Sequence, residues 1–130
     1  MILGIGTDII EVERIKSAIE KYGDRFLRRI FTSKEIEYCE EFKEKKFLHY
    51  AARFAVKESF SKAIGTGITQ GFKFNEVGII NETNGKPVVV LDGRMKEKYE
   101  KYRIDVSISH TEHYAVAFIV MSDESQSVIN

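Results

Sequence analysis

One cysteine and one proline stand in this chain of 130 residues, and basic and acidic side chains balance to a formal charge of zero. Each scarcity removes a class of protein. A lone Cys39 cannot build a disulfide framework and fits a reducing, cytoplasmic setting. It lies in a charged stretch with no histidine beside it, so it reads as a small structural side chain. Zero net charge leaves no global argument for nucleic acid or a membrane surface as partner. No apolar run approaches the ~20 residues needed to span a bilayer. The opening Met1–Asp8 turns acidic too soon for a secretory signal. There is no His/Cys cluster at zinc-ligand spacing, no phosphate loop of the Gly-x-x-x-x-Gly-Lys-Ser/Thr kind, and no Gly-x-Ser-x-Gly nucleophile elbow. Repeats, low-complexity tracts and linkers are missing too. The length suits one domain, expected over residues 1–122 with a polar tail over 123–130.

What is present sorts into a helical first half and a mostly stranded second half. Ile2–Ile10 is β-branched and punctuated by glycine, which predicts a strand. Val12, Ile15, Ala18 and Ile19 recur at helical spacing up to a stop at Gly23. A short amphipathic piece carries Phe26, Leu27 and Ile30, and Thr32-Ser-Lys-Glu35 has the form of a capping box. The main helix is predicted over Phe47–Ile64, closed by Gly65. Strands are expected over Phe72–Asn81 and Pro87–Asp92, joined by a hairpin at Asn84-Gly85. A charged helix over Arg94–Tyr102 separates them from an alternating strand at Ile104–Ser109. After the turn at Thr111–His113 comes the apolar strand Tyr114–Met121. The class is α+β: a small, mainly antiparallel sheet packed on a long helix. Val116–Val120 is apolar without alternation, which calls for burial on both faces and suggests a second copy as cover.

Charge is locally uneven. Between Arg14 and Lys34 stand seven basic residues (Arg14, Lys16, Lys21, Arg25, Arg28, Arg29, Lys34) against Glu20 and Asp24. A neutral chain with one concentrated basic face suits a specific acidic partner better than a polyanion, although a solvated helix face has the same composition. On the main helix, steps of about 100° per residue put Glu58 and Lys62 on one stripe. They border the apolar arc of Leu48, Ala52, Ala55, Val56 and Ala63. There a carboxylate and an ammonium can bring a metal ion and a phosphate together, or form a surface pair worth about 0.2–0.5 kcal/mol. Asp8, at the end of a glycine-rich strand, is a second hard oxygen donor or a cap. His110 closes a strand in which Ser107, Ser109 and Thr111 point one way and Ile108 and His110 the other. A histidine there can hold phosphate, move a proton, or simply be a hydrogen-bonded edge residue.

Three segments together, Gly4-Ile-Gly-Thr-Asp8, Arg53-Phe-Ala-Val-Lys57-Glu58-Ser-Phe-Ser-Lys62-Ala and Ser107-Ile-Ser-His110-Thr, resemble the holo-[acyl-carrier-protein] synthases of the 4′-phosphopantetheinyl transferase superfamily. Asn84-Gly-Lys-Pro87 resembles a turn of the same family, so the likeness runs along nearly the whole chain. It implies transfer of 4′-phosphopantetheine from coenzyme A to a serine of apo acyl carrier protein, a step of fatty acid and lipid biosynthesis, with release of adenosine 3′,5′-bisphosphate. It further implies Mg²⁺ held by Asp8 and Glu58, with Lys62 neutralising phosphate charge. Arg53, Lys57 and His110 become phosphate neighbours or site organisers. Gly65 and Thr66 fall near the nucleotide, and Asn84, Gly85, Lys86 and Pro87 along its adenine end. Metal-bound water, a carboxylate and His110 all stay open as general base. Since acyl carrier proteins are acidic, Arg14, Lys21, Arg25 and Arg28 are expected to dock one, with Ile15, Ala18 and Phe26 as apolar contacts. The short branch implies a homotrimer with shared sites. Two other classes use the same residues: a Mg²⁺-dependent nucleotide phosphohydrolase, and a non-catalytic module that binds coenzyme A or carrier protein.

Overall fold

The computed structural model describes residues 1–68 and 71–123. Strand β1 (Ile2–Glu11) runs directly into helix α1 (Val12–Tyr22), followed by α2 (Asp24–Ile30), α3 (Ser33–Glu40) and the long α4 (Lys46–Ala63). Strands β2 (Val77–Asn81) and β3 (Pro87–Leu91), helix α5 (Gly93–Tyr99), and strands β4 (Arg103–His110) and β5 (Tyr114–Ser122) complete the chain. The α+β class and the antiparallel pairing match the reading of the sequence. The expected single sheet, however, is two: a three-stranded sheet in the order β1-β5-β4 and a separate β2-β3 hairpin. Strand β2 is also shorter than Phe72–Asn81, because a 3-10 turn occupies Phe74–Glu76 and pairing begins only at Val77. The expected tail over 123–130 falls outside the described residues, except for Asp123, whose carboxylate meets the N-terminal ammonium at 2.9 Å.

Local chemistry explains the helix boundaries. Gly23 takes a φ of 62° and its N–H bonds Ile19 O at 2.8 Å, which ends α1 and lets α2 start at once. The capping box opens α3 as its sequence predicts: Thr32 Oγ1 accepts from Glu35 N–H at 3.1 Å, and Glu35 Oε1 accepts from Thr32 N–H at 2.9 Å. Helix α4 begins at Lys46 and lies across the three-stranded sheet. Tyr50, Ala51, Ala55, Val56 and Phe60 are wholly buried on it, against Ala115, Ala117 and Ile119 of β5. Of the expected apolar arc, Ala52 and Ala63 are buried too, whereas Leu48 near the open end is only half-buried.

Strand β1 reaches the helix backbone itself. A Cβ added to Gly4 would stand 2.0 Å from Ala63 O, and one on Gly6 would stand 1.9 Å from Ser59 O. Only hydrogen fits at both positions. Two residues further along, Asp8 therefore arrives at the flank of α4.

Strand β5 corrects the expectation for Val116–Val120. Ala115, Ala117, Ile119 and Met121 turn inward and are buried, while Tyr114 and Phe118 turn outward and are exposed. The alternation is real but hidden, because apolar residues occupy both sides. In the register, Phe118 stands opposite Thr7 of β1, with Val116 opposite Ile9 and Val120 opposite Ile5. Ile5 and Ile9 are 58% and 64% exposed, so the outer sheet face is apolar and bare on a single chain.

Gly6→Ala should test the close approach. Its methyl group must push β1 off α4, and chemical denaturation should show a loss of at least ~3 kcal/mol. A loss under about 1 kcal/mol would mean that the strand gives way easily.

Candidate functional site

The glycine contact sets one half of the site. Lys62 Nζ donates to Thr7 O at 3.0 Å and to Asp8 Oδ1 at 3.2 Å, so the end of α4 is tied to the strand that carries Asp8. The Asp8 side chain is 16% exposed and the Lys62 side chain 50%, which leaves the ammonium open to solvent on its far side. Glu58, one turn earlier, is half-buried. Its carboxyl titrates above the ordinary value, first because of burial and second because the Asp8 carboxylate is close; Lys62 and Arg14 pull the other way. Two carboxylates that repel across a partly dry edge fit a small hard cation. Among the described residues, no group of three or more His, Cys, Asp or Glu comes together. The protein can thus offer two carboxylates here and leave the remaining positions to water and substrate oxygens, the donor set that suits Mg²⁺. Arg14 enters this half as well, through its field on Glu58, a role its place in the basic stretch did not suggest.

The second half of the site lies on another flank of the same helix. Arg53 precedes Glu58 by five residues, which turns it about 140° around the axis. Its Nη2 donates to Asn81 Oδ1 at 2.7 Å and its guanidinium lies 4.1 Å from the centre of the Tyr38 ring. Asn81 Nδ2 donates in turn to Gly85 O at 3.0 Å. That chain of contacts ties Asn84, Gly85, Lys86 and Pro87 to α4. Gly85 holds a φ of 89°, and Asn84 Oδ1 accepts from Lys86 N–H at 2.9 Å, so the turn forms as its Asn-Gly pair predicts. Arg53 Nε is buried and has no hydrogen-bond partner among the described residues.

His49, one turn before Arg53, joins this cluster and was not singled out from the sequence. Its ring stacks on Phe42 at 3.8 Å and meets Tyr38 edge-on at 5.8 Å. Burial lowers its pKa, helped by the charges of Arg53 and His110. His110 is exposed at the end of β4, opposite Ala115. The i,i+4 spacing of His49 and Arg53 was the available signal for His49. Asn81 carried none, since an asparagine closing a strand is ordinary.

Two expectations need correction. Lys57 does not face phosphate. It is fully buried, and its ammonium donates to Glu35 Oε1 at 2.7 Å, Val77 O at 2.5 Å and Phe74 O at 3.1 Å. All three of its donors are used inside the protein, which removes it as a coenzyme ligand. Ile15 is 3% exposed in the core and cannot contact a docked protein. Arg14, Lys21, Arg25 and Arg28 are exposed on α1 and α2, with Ala18 and Phe26 half-buried among them. Gly65 and Thr66 follow Lys62 where α4 ends. Gly65 takes a φ of 86°, and Thr66 Oγ1 donates to Gly67 O at 2.9 Å. Cys39 is buried, with its thiol pushed up to about 12 mainly by burial, as befits an inert structural side chain.

Comparison with known proteins agrees with these motifs. The family model described as the 4′-phosphopantetheinyl transferase superfamily matches residues 4–119. A holo-[acyl-carrier-protein] synthase of Ruminiclostridium cellulolyticum is 52% identical over 121 residues, covering 91% of this chain and 90% of that one. One from Protochlamydia amoebophila is 48% identical, covering 94% and 99%. Among solved structures, the Bacillus anthracis holo-(acyl-carrier-protein) synthase in complex with CoA (3′,5′-ADP) superposes with a TM-score of 0.81 at 35% identity, covering 95% and 99%.

The Glu58 environment makes a prediction that needs no substrate. A carboxyl with a raised folded-state pKa leaves the folded protein holding more protons than the unfolded chain above the ordinary carboxyl value. Stability contributed by this group is therefore lost as pH rises through the folded pKa. Glu58→Gln should raise the melting temperature at neutral pH in the absence of divalent cations, and the gain should close below about pH 4. Mg²⁺ should stabilise the unsubstituted protein and not the variant. Equal melting curves at all pH values would mean that the carboxyl is not strained.

Proposed function

The chain belongs to the 4′-phosphopantetheinyl transferase superfamily and within it to the holo-[acyl-carrier-protein] synthases, and from that premise we propose that it transfers 4′-phosphopantetheine from coenzyme A to a serine of apo acyl carrier protein. The products are holo acyl carrier protein and adenosine 3′,5′-bisphosphate, and the reaction serves fatty acid biosynthesis in the cytoplasm. The observation that carries this reading is the meeting of Asp8, Glu58 and Lys62 at the glycine contact between β1 and α4.

Asp8 and Glu58 would hold Mg²⁺, which would supply positive charge to neutralise the pyrophosphate of coenzyme A. Lys62, tied to Asp8 yet half exposed, turns its free side to the phosphate oxygens. As the carrier serine attacks phosphorus, negative charge shifts toward the leaving nucleotide phosphate, and a fixed ammonium stabilises that change without reorganising. Arg53, with His49 one turn before it on α4, and His110 face the nucleotide's phosphates, and Gly65, Thr66 and the Asn84–Pro87 turn line the nucleotide. The exposed Arg14, Lys21, Arg25 and Arg28 receive the acidic carrier, with Ala18 and Phe26 as apolar contacts. This array leads directly to the Asp8–Glu58 edge, since Arg14 already acts on Glu58.

The working unit is a homotrimer whose sites are shared. Two facts support it. The bare outer face carrying Ile5, Ile9 and Phe118 needs cover. The metal half and the Arg53 half lie on different flanks of one helix, so a head-to-tail ring brings one copy's turn to the next copy's carboxylates.

Incubation with coenzyme A, Mg²⁺ and apo carrier protein separates the classes: only a transferase adds roughly 340 Da to the carrier. A nucleotide phosphohydrolase would consume coenzyme A alone, and a binding module would change neither. Asp8→Asn and Glu58→Gln should each keep the fold and lower the rate by at least about 100-fold, equivalent to ~3 kcal/mol. Unchanged Mg²⁺ dependence in Glu58→Gln would remove the metal assignment.

Subunit mixing tests the shared site. Glu58→Gln and a variant with a disrupted Asn84–Pro87 turn should both be inactive alone, yet refolding them together should restore part of the activity. Mixed trimers that stay inactive, or a monomer by sedimentation, would count against it.

A further inference from the structure

We propose that the buried Glu35–Lys57 pair is a positioning device for the nucleotide-facing turn: it sets where the β2-β3 hairpin, and with it Asn84–Pro87, stands against α4. The inference rests on the reading that this turn lines coenzyme A. Both side chains are entirely buried. Lys57 holds the carbonyls of Phe74 and Val77, the two residues where the chain enters β2. Glu35 Oε1 accepts from both Lys57 and Thr32 N–H, while Oε2 accepts from Ile79 N–H at 3.0 Å. The outward edge of β2 thus docks on a carboxylate fixed at the start of α3.

The hairpin needs such an anchor. It shares no hydrogen-bonded ladder with the three-stranded sheet, so its directional bonds to the rest of the fold come from side chains, and apolar packing sets angle and slide less sharply than such bonds. Arg53 and Lys57 are four residues apart on one stripe of α4. Lys57 grips the entry of β2 and Arg53 grips its exit through Asn81 and Gly85. Stability alone is a poor account of the pair, because well-packed apolar residues often serve as well as a buried ion pair. Direction is what apolar residues cannot supply.

Two variants test this. Glu35→Gln keeps the shape, but its amide group turns a donor toward Ile79 N–H when its oxygen faces Lys57. Glu35→Leu/Lys57→Met replaces the pair by apolar side chains of similar length. Two readouts are compared with the unsubstituted protein. Amide hydrogen exchange of residues 77–81 and 84–86 tests the positioning without any substrate. Kinetics with coenzyme A and carrier protein varied in turn test its consequence.

The expected result is faster exchange confined to the hairpin and a KM for coenzyme A raised roughly tenfold or more, with the carrier KM unchanged. The double variant should show this even where its melting temperature equals that of the unsubstituted protein. Unchanged hairpin exchange, or a folded double variant with normal KM for coenzyme A, would overturn the proposal. Should the double variant not fold, Glu35→Gln decides by the same readouts. Faster hairpin exchange with no transfer by the unsubstituted protein would instead uphold the positioning and sink the functional reading.

Discussion

Backbone-to-backbone contact between β1 and α4 is the constraint on which the site depends. Gly4 and Gly6 present only hydrogen to the carbonyls of Ala63 and Ser59, so the strand lies against the helix with no side-chain layer between them. An ordinary strand-on-helix contact keeps a layer of side chains between its elements. With such a layer Asp8 would stand well away from Glu58. Here the approach puts two carboxylates close enough to repel and brings Lys62 onto Asp8 at 3.2 Å. Such repulsion is the kind that a small hard cation relieves.

Helix α4 serves three neighbours with three stripes. One faces the sheet with small and apolar side chains and the Ser59 hydroxyl, which reaches Ala117 O at 3.1 Å. A second presents Glu58 and Lys62. A third sends Arg53 and Lys57 to the hairpin. Few exposed positions remain on the helix, so charged residues that look like surface in a linear reading are mostly committed to partners. Arg53 and Lys57 are both buried, and each has a defined set of contacts.

The two flanks also bear on assembly. The Asp8–Glu58 edge and the Arg53–His49 cluster lie on different flanks of α4 in one copy, while the outer sheet face exposes Ile5, Ile9 and Phe118. In the proposed homotrimer, heterologous contact would join unlike flanks and cover apolar surface in the same step.

Several features of this protein were settled by its sequence. Glycine spacing, the capping box at Thr32, the Asn84-Gly85 turn and the helical stripe of Glu58 and Lys62 each depend on residues within a turn or two of one another, and such local chemistry survives in the linear chain. The α+β class and the family motifs were legible for the same reason. Tertiary structure decided what depends on residues far apart. Lys57 could be a phosphate neighbour or a site organiser until Glu35, twenty-two positions away, paired with it inside the core and left only the second. Ile15 looked like a docking contact until the core closed over it. His49 and Asn81 took on roles only when β4 and the hairpin came beside α4. Strand β5 hid its alternation, because apolar residues on both faces look alike until one face meets a helix and the other meets none. A side chain's type limits its possible partners, but which of them it finds is set by packing between distant segments, and that is a property of the folded chain.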